Sequence, residues 1–224
     1  MTRLLRHGFG LASLLLLLAN LVPLIGVIYW GWDAFLLLML YWMETAIIAF
    51  WTYVRITSVP LTTMLAEQSG SATPMASRVV VLIFFMVHSG IFMTVHFVFL
   101  WVLFSGAWAQ RVHGPVDFAR QIVIQSGLWV PLLLMFAVRG FAAISENREW
   151  ARVLPSNTPG VGAIVGGLYA RIVIMHMVVL LGAWVAIAFG SALGPIILLV
   201  VLKTLVDVGL FVISDVRART HNRT

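Results

Sequence analysis

The chain has 224 residues, of which 62% are hydrophobic and 10% charged, and its mean hydropathy is +1.04. This composition is far more apolar than that of a water-soluble domain, so it excludes that class and predicts a protein whose surface is solvated by lipid. The net charge of +6 does not indicate a nucleic-acid partner, because the arginines stand between apolar runs, where they are typical of topology signals.

Apolar segments of membrane-spanning length follow one another along the chain, with about 20 apolar residues needed for each crossing. The predicted spans are residues 10–30, 33–54, 79–104, 120–138, 161–189 and 193–214. Gly31 and Trp32 form a short turn between the first two spans, and Pro131 predicts a kink in the fourth. The connectors 55–78 and 139–159 are polar. The sequence therefore predicts an all-α fold, a polytopic membrane protein whose residues 1–224 form a single domain of six transmembrane helices.

The arginines in the connectors, in the terminal segments and at the ends of the predicted spans are distributed unevenly. Six spans place ten arginines on the side of the two termini, and only Arg111 and Arg120 on the opposite side. Because positively charged loops stay in the cytoplasm, both termini are predicted to be cytoplasmic. The predicted location is the bacterial inner membrane.

Polar and ionisable side chains inside the predicted spans mark the candidate site, since such groups are costly in hydrocarbon and are functional candidates by default. At a rise of about 1.5 Å per residue, one group lies at about 10–16 Å from the cytoplasmic ends of its spans, near the midplane. This group consists of Asn20, Glu44, His88, Arg171, Lys203 and Asp207. His176 lies at about 20 Å and His96 at about 25 Å.

The chemistry of these residues favours a divalent metal ion. Glu44, His88, His176 and Asp207 offer the nitrogen and oxygen ligands that suit zinc, iron or manganese, and are the predicted metal ligands. The absence of cysteine excludes thiolate ligands and disulfides. Copper bound by methionine and a haem bound by two histidines are weaker alternatives.

Three further residues are predicted to act on a lipid-soluble substrate. Arg171 or Lys203 would stabilise developing negative charge, and His96 would relay protons or guard the entrance. His88 and His96 are eight residues apart, about 12 Å along a helix, which is too far for both to bind one ion. The predicted partners are the lipid bilayer and this small molecule, and the sequence is compatible with a homo-oligomer.

Two other functions use the same residues. In a proton- or cation-coupled transporter or channel, Glu44, His88 and Asp207 would titrate along the transport pathway. In a structural subunit, buried ion pairs would only specify helix packing, with Lys203 and Asp207 paired four residues apart on one helix.

Four segments together resemble a known family. The sequence contains ANLVPLIGV, LLLMLYWMETAIIAFW, FFMVHSGIFMTVHFVF and LKTLVDVG. This combination resembles an uncharacterised family of small prokaryotic integral-membrane proteins, known only as a domain of unknown function. The resemblance covers most of the chain outside the two polar connectors and implies no activity. The landmarks that it implies are Tyr41-Trp42-x-Glu44, His88-x-Gly90, His96 and Lys203-x-x-x-Asp207.

Overall fold

The structure is a computed structural model that describes residues 25–59 and 74–150, and beyond them only positions 165, 166, 169, 172, 173, 176, 177, 181 and 201. Its helices are α1 (Ala34–Ser58), α2 (Pro74–Phe104), α3 (Pro115–Gln125) and α4 (Trp129–Trp150). A short 3-10 turn, Gly106–Gln110, follows α2, and most of α3 is a π-helix, Phe118–Gln125. The isolated positions are helical, and the described residues contain no strand. The prediction of an all-α fold is confirmed for this part of the chain.

Two described helices are long and apolar enough to cross a membrane: α1 and the part of α2 from Arg78 to Phe104. They correspond to the predicted spans 33–54 and 79–104 and extend them by a few residues. α3 and α4 together form a third candidate, which is bent by 87°. Two or three crossing helices indicate membrane association. The predicted spans 10–30, 161–189 and 193–214 lie mostly outside the described residues.

The turn before α1 confirms the short connection predicted at Gly31 and Trp32. Gly31 has a φ of 64°, a left-handed conformation that glycine adopts without strain. The N–H of Trp32 donates to the carbonyl of Gly26 over 3.2 Å, which closes the preceding helical turn. Asp33 then caps the new helix, because its Oδ1 accepts the N–H of Leu36 at 2.9 Å.

A buried apolar cluster joins α1, α2 and the helical positions near residue 170. Its fully buried members are Ile56 and Val59 from the end of α1, Phe85 from α2, and Ile172. Arg78 donates a hydrogen bond to the carbonyl of Val59, so the start of α2 also satisfies a free carbonyl where α1 ends. Apolar packing and this end cap therefore hold the two helices in register.

Aromatic rings hold α3 against the other end of α2. Phe118 of α3 meets Phe97 edge-on at a centroid distance of 5.7 Å and lies 6.4 Å from Trp101. Arg111, in the loop between the helices, lies over the ring of Trp108 at 5.1 Å. Tryptophans at the end of a crossing helix are typical of the membrane–water interface.

The structure differs from the predicted continuous span at 120–138. The chain breaks between α3 and α4, where Gly127 has a φ of 82° and the two helices are bent by 87°. Pro131 is the third residue of α4, in the first turn, where a missing N–H costs no intrahelical hydrogen bond. The proline therefore fits the start of a helix instead of kinking the middle of one. α4 then continues to Trp150, through much of the connector predicted at 139–159.

Candidate functional site

Glu44 is the buried carboxylate of α1. It is 8% exposed, and its side chain takes part in a hydrogen bond or an electrostatic interaction. The neighbouring Thr45 is also buried, but its hydroxyl donates to the carbonyl of Tyr41 in the same helix at 3.0 Å. The Thr45 hydroxyl is therefore satisfied within its own helix, and Glu44 is the only carboxylate that α1 buries along its described length.

The opposite faces of α1 pack against different helices. On one face the indole Nε1 of Trp42 donates to the carbonyl of Met93 in α2 at 2.9 Å, and its ring packs 5.2 Å from Phe97. On the other face the ring of Trp51 lies against Gly140 and is 5.1 Å from Phe136 in α4. A Cβ at position 140 would overlap the Trp51 ring, so glycine is what permits this close approach.

The helical repeat places Glu44 relative to these two contacts. Glu44 follows Trp42 by two residues, which is about 200° around the helix axis. Trp51 follows Glu44 by seven residues, which returns to within about 20° of the same direction. On a regular helix Glu44 therefore lies on the same side of α1 as Trp51, which packs against α4, and opposite Trp42, which contacts α2. α2 carries both His88 and His96.

His96 is buried in α2. It is 7% exposed and shares the buried side of α2 with Phe85, Ser89 and Leu100. Its ring meets Phe92 edge-on at 5.8 Å, and it takes part in a further interaction. Burial suits the predicted role in proton relay better than the predicted role at an entrance.

His88 has different surroundings, although it lies only two turns before His96. It is exposed, and its ring stacks on Phe84 at 5.4 Å and meets Tyr169 edge-on at 5.3 Å. The hydroxyl of Tyr169 is buried and finds no hydrogen-bond partner in the described part of the chain. The structure thus pairs His88 with Phe84 of its own helix and with a tyrosine from a later part of the chain.

The remaining predicted site residues can be placed only in part. Arg171, Lys203 and Asp207 lie outside the described residues. His176 is half-buried and takes part in an interaction, and it belongs to a compact unit other than that of Glu44. Among the described residues no group of three histidine, aspartate or glutamate side chains could hold a metal ion. The predicted ligand set of Glu44, His88, His176 and Asp207 stays a prediction.

Sequence reasoning missed two residues that shape these surroundings. Tyr169 was not singled out, although a hydroxyl inside an apolar segment is the same kind of signal as His88. Gly140 looked like part of a connector, because Arg139 beside it suggested that the span had ended. A glycine one turn after Phe136 was the available signal for close helix packing.

Comparison with known proteins decides the family. The chain matches the family of unknown function DUF6498 over residues 3–224. The chain belongs to this family. No curated protein and no solved structure matches it. The resemblance to a domain of unknown function is confirmed at this level, while the landmark motifs and their roles stay predictions.

Proposed function

We propose that this member of DUF6498 is a multi-pass protein of the bacterial inner membrane, with six spans and both termini in the cytoplasm. Two or three membrane-crossing helices in the described residues support the class. The distribution of arginines, ten on one side and two on the other, supports the orientation.

Within this protein, Glu44 is the central group of a polar site inside the bilayer that binds a divalent metal ion and acts on a lipid-soluble substrate. The observation that carries the proposal is the burial of Glu44, 8% exposed, in a helix able to cross the membrane. An ionisable side chain in that position is costly and is retained where it binds or reacts. Oxygen ligands such as this carboxylate suit zinc, manganese or iron.

The other roles follow from the sequence and from the surroundings of each histidine. His176 and Asp207 are the further metal ligands that the sequence predicts, and Arg171 or Lys203 would stabilise negative charge on the substrate. His96, which is buried, would move protons. A bound metal ion would polarise a substrate oxygen or activate water. His88 is the fourth metal ligand that the sequence predicts, and the proposal does not depend on it, because its ring contacts Phe84 and Tyr169.

Elemental analysis of the detergent-purified protein tests the metal site. We expect a near-stoichiometric divalent metal in the wild type and its loss in Glu44→Gln, which keeps the shape of the side chain and removes its charge. Asp117→Asn is the matched control, because this carboxylate lies in the first turn of α3, away from α1, and accepts a hydrogen bond from the backbone N–H of His113. Wild-type protein that contains no metal and is not stabilised by added zinc, manganese or iron would exclude the metal site.

Proton- or cation-coupled transport is the second candidate, and the break between α3 and α4 favours it. Helices interrupted inside the membrane often build the ion and substrate sites of transporters. Here a bend of 87° occurs at residues 126–128, just before α4, the helix that packs against Trp51 of α1. Flux measured in proteoliposomes would depend on Glu44 in this case. Flux that is equal in wild type and Glu44→Gln would exclude this coupling, and absence of both metal and flux would favour a structural subunit.

A further inference from the structure

His88 and Tyr169 place two polar groups side by side in an apolar part of the molecule. His88 lies in the crossing part of α2, and its neighbours on the same side are exposed and apolar: Phe84 is 62% exposed, Val87 52% and Ile91 62%. The imidazole makes ring contacts with Phe84 and Tyr169, and no hydrogen bond of its ring nitrogens is found among the described residues. A polar ring on an apolar, exposed helix face therefore lacks the partner that a hydrocarbon environment demands.

Tyr169 adds a second hydrogen-bonding group next to the first. Its ring packs edge-on against Phe85 at 6.4 Å and against His88 at 5.3 Å. Its hydroxyl is buried and has no hydrogen-bond partner within the described residues. Buried polar groups in proteins are almost always satisfied, so the unsatisfied Tyr169 hydroxyl, beside an exposed imidazole in an apolar setting, indicates a ligand that is absent from the structure.

The depth of His88 in the bilayer limits the chemical class of this ligand. His88 is ten residues after Arg78, which corresponds to about 15 Å of helix, half the thickness of a hydrocarbon core of about 30 Å. The ester carbonyls of phospholipids lie at the edge of that core and do not reach its middle. The ligand must therefore be lipid-soluble and carry its polar oxygen into the bilayer.

The hydrogen-bonding groups of His88 and Tyr169 limit the chemical class of the ligand further. A tyrosine hydroxyl donates one hydrogen bond, and a neutral imidazole has one donor and one acceptor. This pair matches a carbonyl oxygen or a phenolic hydroxyl, and the exposed ring of Phe84, which stacks on His88, offers a flat apolar contact beside it. Quinones combine these features, since they are flat, neutral, soluble in lipid and bear carbonyl oxygens on a ring.

We propose that His88 and Tyr169 form a site inside the bilayer that binds the head group of a lipid-soluble quinone by hydrogen bonds to its carbonyl oxygen. This site goes beyond the proposed function: it is separate from the polar site around Glu44 and shares with it only the assumption of a lipid-soluble ligand. Trp42 contacts α2 on the side of α1 opposite to Glu44, so binding does not require a metal ion at Glu44.

Binding is tested on the full-length protein in detergent with a benzoquinone that carries a ten-carbon alkyl tail. In protein labelled with nitrogen-15 at its six histidines, we expect the quinone to shift the imidazole signal of His88 saturably and to leave that of His113 unchanged. The signal of His88 is identified by its loss in His88→Phe.

Two variants remove hydrogen bonds and keep the aromatic packing. We expect His88→Phe and Tyr169→Phe each to weaken binding about tenfold, the effect of losing one good hydrogen bond. His113→Phe and Tyr29→Phe are the matched controls, since both side chains are exposed and lie elsewhere, and neither should change the affinity.

Three results would overturn the proposal. Uptake of the quinone that is equal in all variants and does not saturate would show that it only partitions into the micelle. Equal affinity of Tyr169→Phe and wild type would remove the tyrosine from the site. A change of oligomeric state in His88→Phe, without quinone binding by the wild type, would show that a second copy of the chain covers this face.

The same protein separates this site from the metal site. Glu44→Gln is expected to bind the quinone with unchanged affinity. If the protein binds the quinone but contains no metal, the proposed metal site is contradicted and the His88 site is supported. If it contains metal but does not bind the quinone, the His88 site is contradicted and the metal site is supported.

Discussion

The two helices that most clearly cross the membrane, α1 and α2, differ in what surrounds them. In the most apolar stretch of α1, 50% of the residues are buried inside the molecule, whereas in that of α2 the share is 17%. α1 packs against α2 through Trp42 and against α4 through Trp51. α2 buries one narrow side, which contains Phe85, Ser89 and His96.

This difference assigns different chemistry to polar residues of similar depth. Glu44 sits in the enclosed helix, where a charge can be held by protein groups on several sides. His88 sits on the open side of α2, where only lipid or a ligand dissolved in lipid can reach it from outside. Depth alone would have placed both residues in one site, and it is the rotation of each helix that separates them.

The largest expected effect comes from a substitution that disrupts the packing of α1, the more buried of the two helices. Gly140→Leu inserts a side chain where even a Cβ would overlap the ring of Trp51, and overpacking of this kind should lower the free energy of unfolding by about 3 kcal/mol. Reversible unfolding in mixed micelles, followed by tryptophan fluorescence, measures this loss.

Gly90→Leu is the matched control in the open helix, because no atom lies within 4 Å of a Cβ built at Gly90. It should be neutral or should stabilise the protein by up to about 1 kcal/mol through better helix propensity. Equal losses in the two variants would contradict the difference between the helices.

A smaller effect is expected from removing the two polar side chains. Glu44→Leu removes the interaction that Glu44 makes from a buried position and should cost about 2 kcal/mol. His88→Leu removes an exposed ring that makes no hydrogen bond in the described part of the chain, so the free energy of unfolding should barely change. The two values come from the same unfolding assay, and a larger loss in His88→Leu would reverse the assignment.

The smallest expected effect comes from removing the hydrogen bond between α1 and α2. Trp42→Phe keeps an aromatic ring against Phe97 and loses the hydrogen bond to the Met93 carbonyl, which should cost about 0.6 kcal/mol, the average for such bonds in membranes. Trp129→Phe is the control, because this tryptophan is 50% exposed. If the two variants lose the same stability, the hydrogen bond contributes nothing measurable.

The crossing helices could be predicted because a helix that is surrounded by lipid consists mainly of apolar residues. The apolar runs at 33–54 and 79–104 correspond to α1 and α2, with ends that differ by a few residues. The break at Gly127 could not be predicted, since a proline four residues later fits a kinked span as well as the first turn of a new helix. Only the left-handed conformation of Gly127 decides between the two.

The sequence predicted only the depth of the candidate site residues in the membrane. A fixed rise per residue places Glu44 and His88 at similar depths, which is why the sequence grouped them. Their neighbours depend on how each helix is rotated and packed, and this is set by contacts such as Trp51 on Gly140 and Tyr169 on His88. Such contacts join residues far apart in the chain, and no local pattern contains them.

The absence of cysteine permits the most direct test of the difference between α1 and α2. A nitroxide spin label is attached to a single cysteine introduced either at the half-buried Ile47, one turn after Glu44, or at the exposed Val87, next to His88. In lipid bilayers, collisions with oxygen and with a water-soluble nickel complex are then measured by electron paramagnetic resonance. We expect frequent oxygen collisions at position 87, few at position 47, and little contact with nickel at either. Oxygen access at position 47 equal to that at position 87, or strong nickel access at position 87, would contradict an enclosed Glu44 and a His88 that faces lipid.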